Sequence, residues 1–454
     1  MNTIRRTALS LLAAALFAAP RSAGAQAPAE EQPEPPEAPP TTGIHLEPEQ
    51  RRDPAQYRGR PRETDVADGL LWIPRVLFLP AFAVAELGVR RPVYAGAEWI
   101  DRHRIVPILD RVFNPTLDIS WSPTVTLDLG ANSAVGVKGK WRNMFVEGHE
   151  LKASVQTGGE DNWRVAARDF WSIGPYAFAG ARGDLSELPT RAFYGLGPGS
   201  PNVPTNFSMA RYEGFLFQGL QIDNHFRVEL QEGYRIDRTG PGRAPSIETI
   251  FDTGSIPGFG EVQLAMAMLD FRIDSRRVLE ENGGVRLAGN VTYGHDIQND
   301  ERSFVVASLD LEGAVEVSHP DRVLAARVYA TEAIALGNEP VPFTHLPMLG
   351  WQNHVGFIWG RFRGDSAVLA ELQYRYPIGY FVDAQWTASA GNVLGERFAG
   401  LHPGAMTGSI GVGLRTRRAG FGPLELTIAL GTTRFDQPFD FESVRVYFGT
   451  TEGL

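Results

Sequence analysis

From residue 115 onward, apolar and polar positions alternate with a period of two, the signature of half-buried β-strands. In 303–317, SFVVASLDLEGAVEV, Val305, Ala307, Leu309, Leu311, Val315 and Val317 share one face, and Asp310, Glu312 and Glu316 share the other. In 366–378, SAVLAELQYRYPI, Val368, Ala370, Leu372, Tyr374 and Tyr376 oppose Glu371, Gln373 and Arg375. In 226–231, Phe226, Val228 and Leu230 alternate with Arg227, Glu229 and Gln231. Near the C-terminus, Val444, Val446 and Phe448 stand against Arg445 and Tyr447. Extended to the whole region, the pattern predicts about sixteen strands, near 116–128, 133–141, 149–158, 163–171, 176–183, 206–222, 224–237, 260–274, 283–295, 303–317, 322–334, 366–378, 380–393, 405–418, 422–433 and 443–453.

Such strands face either a protein core or lipid. Their lengths, about ten residues or more, suit tilted membrane-spanning strands. Their polar faces carry full charges, which a wet lumen tolerates. In hydrocarbon only a closed barrel satisfies every backbone group on a sheet. The expectation is an all-β transmembrane antiparallel β-barrel spanning 115–454, with both ends in the periplasm. The long segment 335–365 then joins the eleventh and twelfth strands and starts on the extracellular side.

The front of the chain has a different texture. Residues 1–25 read as a secretory signal peptide: Arg5 and Arg6, an apolar stretch from Leu9 to Ala19, and Ala23-Gly24-Ala25 before a cut at Gln26. Residues 26–67 are rich in Pro and Glu, which predicts a disordered linker or tether. Residues 68–114 read as an amphipathic helical segment. Arg90, Arg91, Arg102 and Arg104 alternate with Val93, Trp99, Ile100 and Ile105, as in a helix lying in a membrane interface. Pro74, Arg75, Pro80 and Glu86 interrupt its apolar run and argue against a spanning helix.

Composition narrows the functional classes. The formal charge of −10 becomes −13 once the first 25 residues, with three arginines and no acid, are removed. Nucleic acid is therefore not an expected partner. The chain has no cysteine, so it has no disulfide and no thiolate chemistry. Its nine histidines show no paired metal spacing, and no cofactor or metal is expected. The mean hydropathy of −0.17 excludes a bundle of spanning helices.

One stretch breaks the alternation: LGWQNHVGFIWGRFRGDS, 349–366. It could be a phosphate cradle, a catalytic loop or a plug inside a barrel. A phosphate-binding loop needs a following helix and a Lys with Ser or Thr, which are missing here and after GLGPGS, 195–200. No GxSxG or readable triad supports a hydrolase, although a triad assembled across strands would escape a reading by spacing. His354 is expected on the loop surface, and Trp351 and Trp359 as interface anchors or recognition elements.

Four places together resemble the bacterial surface antigen superfamily, which includes BamA, TamA and the transporter pores of two-partner secretion. They are FYGLGP (193–198), LDFRIDSRR (269–277) followed by Gly283 and Gly284, the stretch 349–366 with AVLAELQYRYPI after it, and YFVDA (380–384). The resemblance implies that 349–366 is the sixth extracellular loop, folded back into the lumen, with an arginine at its tip held by an aspartate on a neighbouring strand. On that alignment the tip falls on Val355, Gly356 and Phe357, so the tip arginine is Val355 here. The aspartate is Asp383, and the glycine after it is Gln385. The contact then falls to Arg361 or Arg363; an alternative alignment puts the tip at Arg363-Gly364-Asp365. The segment before the barrel has no room for POTRA repeats, as in short members of the group. The resemblance implies no covalent chemistry. It points to outer-membrane protein insertion or translocation, with outer-membrane lipid, unfolded client proteins or periplasmic chaperones as partners. A passive pore or structural barrel is the alternative, and an outer-membrane lipid hydrolase a more distant one.

Overall fold

The computed structural model describes residues 118–128, 133–159, 161–223, 225–276, 283–317, 322–351, 353–377, 382–416 and 424–450. The signal peptide, the tether and the helical segment expected before the barrel lie outside the described residues.

The alternating stretches form strands: β1 (Ile119–Asp128), β2 (Ala134–Arg142), β3 (His149–Gly159), β4 (Asn162–Ile173), β5 (Ala177–Phe193) and β6 (Thr205–Ile222). They continue with β7 (Phe226–Pro241), β8 (Glu261–Asp274), β9 (Gly284–Asp296), β10 (Ser303–Glu316) and β11 (Val323–Ala335). Two short strands inside the long connection, β12 (Met348–Leu349) and β13 (Phe362–Arg363), pair only with each other. The chain then resumes with β14 (Ser366–Pro377), β15 (Val382–Leu394), β16 (Thr407–Thr416), β17 (Leu424–Arg434) and β18 (Phe441–Thr450). Apart from β12 and β13, every strand pairs antiparallel with its neighbours, and β18 returns to β1 to close a barrel. The barrel has the sixteen strands that the period-two pattern predicts.

The outside of the barrel is apolar: Leu216, Leu269, Leu309, Val328, Leu372, Ile410 and Val444 all project outward and are exposed. Their neighbours in sequence turn inward and pair across the lumen. Arg168 and Arg227 meet at Glu229, and Arg182 and Arg235 meet at Glu213. Arg286 and Arg327 meet at Asp310. An apolar exterior around a charged interior is the outer-membrane solution, since lipid bathes one face of each strand and water the other.

Connections at one end are long, above all 242–260 and 336–365, and those at the other end are short. Long loops mark the extracellular end of such barrels. There β5, β6 and β7 run 17, 18 and 16 residues, longer than the roughly 9–11 that span the bilayer. Inside this collar a hydrophobic cap packs Phe193, Phe207, Leu264 and Phe304 of the wall against Ile247, Ile256 and Phe343 of the two long loops.

Among the described residues the seam is the shortest junction of the barrel. Among the described residues β1 and β18 share three register pairs, Thr126 with Gly449, Leu127 with Phe448, and Asp128 with Tyr447. Every other neighbouring pair in the barrel shares eight or more.

Candidate functional site

The inward faces of β15, β16 and β17 are stripped of bulk. Ser389 and Gly391, Ser409 and Gly411, and Ala429 and Gly431 line a shallow bed, while Ile410, Leu426 and Ile428 point out to lipid. The loop 336–365 folds into this bed. It re-enters through the β12–β13 pair and turns at Trp351–Phe357, closed by a bridge between Trp351 and His354.

The tip is held by hydroxyls. The Gly356 N–H donates to Ser409 Oγ at 2.7 Å, and Ser443 Oγ donates to the Gly356 carbonyl at 2.5 Å. His354 bonds through Nδ1 to Ser389 Oγ at 2.8 Å and through Nε2 to Thr407 Oγ1 at 3.0 Å. Asn353 Oδ1 accepts from Arg327 of β11 at 3.0 Å, which joins the loop to the lumenal ion pairs. Gly356 is required by closeness, since a Cβ there would lie 2.4 Å from the Leu430 carbonyl oxygen. Phe357 is buried with its ring over Gly431, where a Cβ would lie 2.6 Å from the ring. Trp351 stacks edge-on against Tyr447 at 5.6 Å between ring centroids, and Tyr447 is one of the three β18 residues paired across the seam.

The structure places the loop inside the lumen, but it does not bring Arg361 or Arg363 to Asp383. The Arg361 guanidinium pairs with Glu442 at the start of β18 and reaches Ser200 Oγ at 3.2 Å. Arg363 donates to the Phe343 carbonyl oxygen. Asp383 is the second residue of β15, opposite Pro377 and Arg415, at the short-turn end of the barrel. It is six residues before Ser389, or about 20 Å along the strand from where the loop tip docks. Gln385 lies on the same inward face and donates to Glu425. Val355 packs above Gly411.

Two readings of the loop change. His354, expected on the surface, is fully buried, because both ring nitrogens are needed to join the loop to β15 and β16. Trp351 and Trp359 face each other in the lumen, with 6.1 Å between centroids, rather than the membrane interface. Two of the stretches that carry the superfamily resemblance also meet. The Gly197 N–H donates to the Arg363 carbonyl at 2.7 Å, and the Arg361 guanidinium lies 4.9 Å from the centre of the Tyr194 ring.

The sequence reading missed Glu442 and the serine bed. Strict alternation would turn Glu442 outward, since Ser443, Arg445 and Tyr447 face in. A bulge intervenes: Gly431 pairs with Ser443 and Thr432 with Phe441, and the extra residue, Glu442, swings into the lumen. The bed itself is visible once the faces are assigned, as a run of small inward residues on consecutive strands.

Comparison with solved structures bears on this architecture. BamA from Haemophilus ducreyi lacking POTRA domains 1–3 superposes with a TM-score of 0.56 at 14% identity, over 73% of this chain and 70% of that one. The barrel is similar in fold to that of BamA. CdiB from Acinetobacter baumannii superposes with a TM-score of 0.50 at 12% identity, over 73% of this chain and 59% of that one. At such identities the likeness is one of fold. No family profile matches the sequence, and no curated protein matches it. The chain folds as a sixteen-stranded outer-membrane barrel similar in fold to that of BamA, with its own long loop folded into the lumen.

Proposed function

We propose that this barrel inserts or translocates proteins at the outer membrane, using the β1–β18 seam as an edge that opens to a client strand. The observation that supports this most directly is the seam, with three register pairs among the described residues. A strand junction held by few hydrogen bonds is the cheapest place to open a closed sheet, and an opened edge offers unpaired backbone groups to another chain. The loop fits the same reading. It fastens β16 through Ser409 and β18 through Ser443 and Glu442, so the C-terminal side of the seam is held in shape, and among the described residues three register pairs join it to β1.

In this reading the lock is Arg361 with Glu442, taking the place of an arginine pairing to Asp383. Clients would be unfolded outer-membrane proteins or secreted chains, delivered with or without periplasmic chaperones, and the surrounding partner is outer-membrane lipid. The mechanism is mechanical and involves no covalent chemistry.

The test is insertion into vesicles. The refolded barrel is placed in phospholipid vesicles, and a urea-denatured outer-membrane protein is added. Its folding is followed by heat-modifiable gel mobility. The reading predicts several-fold faster client folding than in empty vesicles. Equal rates together with large, steady ion conductance would replace it with a passive pore, and release of fatty acid from the lipid would replace it with an enzyme.

A further inference from the structure

We infer that the extracellular half of the lumen contains a site for an oxyanion, a phosphate or carboxylate group, built around Arg191 and Trp351, with the buried Arg363 adding positive charge beside it. The inference rests on the docked loop and holds whether or not the barrel moves proteins.

A cavity of about 460 Å³ lies between Trp351, Ile358 and Trp359 of the loop and the inward faces of β2 to β7. Four guanidiniums line it, those of Arg164, Arg191, Arg211 and Arg235, against two carboxylates, Asp184 and Glu213. The carboxylates are already engaged. Asp184 accepts from Arg164 at 2.7 Å, and the two oxygens of Glu213 accept from Arg182 and Arg235, each at 2.7 Å. Arg211 turns away to a buried third carboxylate, Asp237, at 2.7 and 2.9 Å. Asp237 also contacts Thr344 at 3.2 Å and His345 at 3.1 Å, which fills its remaining capacity.

Among the described residues, Arg191 in the cavity wall and Arg363 close behind it have no carboxylate partner. Arg191 touches Met209 Sδ at 3.0 Å, and a thioether is a weak acceptor. Arg363, 2% exposed, gives one hydrogen bond to a neutral carbonyl, and its Nε–H has no acceptor. The buried indole N–H of Trp351 has none either. Among the described residues, Arg363 Nε and Trp351 Nε1 are unsatisfied donors here, and the excess charge of the region is positive. Burial, with Arg191 and Arg211 close by, pushes the Arg363 guanidinium down to about 9. Water can accept hydrogen bonds from such donors, but it cannot balance their charge. An oxyanion does both, with several acceptor lone pairs and the opposite sign. Bound there it would join β5, β6 and the loop, and so strengthen the plug.

The experiment uses the full refolded chain in detergent. Its unfolding midpoint is followed by heat-modifiable mobility in inorganic phosphate, in glucose 6-phosphate, and in sodium chloride of matched ionic strength. The expected result is a saturable upward shift in phosphate that chloride does not reproduce. A larger shift with glucose 6-phosphate would mean that the group arrives on a larger molecule, and an equal or smaller one that the free ion is the ligand. Arg191→Met should weaken phosphate binding by about tenfold or more while raising the midpoint in phosphate-free buffer, because it removes an uncompensated charge. Arg191→Lys should keep part of the response. Should Arg191→Met fail to fold, titration of the unaltered barrel followed by phosphorus NMR decides the matter, since absence of saturable binding overturns the inference. A shift that chloride matches, or one left unchanged in both Arg191→Met and Arg363→Gln, overturns it too.

Discussion

The imidazole of His354 joins two strands to the loop tip, and both of its ring nitrogens bond to hydroxyls. Burial pushes it down to about 3 from an ordinary value of 6.5. Between those values an undocked loop binds a proton that the docked loop refuses. Docking is therefore fully stable above pH 6.5 and weakens as the pH falls toward 3, by at most about 1.4 kcal/mol per pH unit. Acidifying the outer chamber of a planar bilayer from pH 7.5 to pH 4 should raise the frequency of channel openings, and His354→Asn should flatten that dependence. A flat profile in the unaltered chain would contradict this role for the histidine. Residue identity alone could not reveal it. A histidine in a glycine-rich loop looks solvent-facing until the serine and threonine that receive it are brought close by the barrel.

At the scale of elements, the strands were legible and their irregularities were not. With lipid on one side and charged, wet lumen on the other, each strand is forced into strict alternation, so β8, β10 and β14 could be bounded to within a residue or two from the pattern alone. The bulge that turns Glu442 inward leaves no such mark, and the cap formed by 242–260 depends on contacts between distant loops. The buried Arg361–Glu442 pair carries an energetic prediction. Removing one partner leaves a desolvated charge, so Arg361→Gln should cost loop docking about 3–5 kcal/mol. The paired exchange of Arg361→Glu with Glu442→Arg should recover much of it. The readout is bilayer conductance, with deletion of 349–365 as the fully open reference. Arg361→Gln should move toward that reference and the exchange back toward the closed barrel. Equal, steady conductance in all four proteins would mean that the loop does not plug the lumen.

For the molecule as a whole, the plug and the seam divide the work. The loop lies in the lumen and braces β16 and β18, while β1 meets β18 through three register pairs among the described residues. On the proposed reading, a barrel that receives a client strand needs an edge that parts without loss of the rest of the fold, and the seam is that edge. The chain has no native cysteine, so a cross-link can be placed at this one junction. Thr126→Cys with Gly449→Cys puts two thiols on directly paired residues, within the Cα separation that a disulfide spans. The deciding measurement is client folding in vesicles by this double variant, oxidised and then reduced. The account predicts that the oxidised barrel stays folded but no longer accelerates the client, and that reductant restores the acceleration. Equal acceleration in both states would show that the seam never opens and would contradict the proposed function.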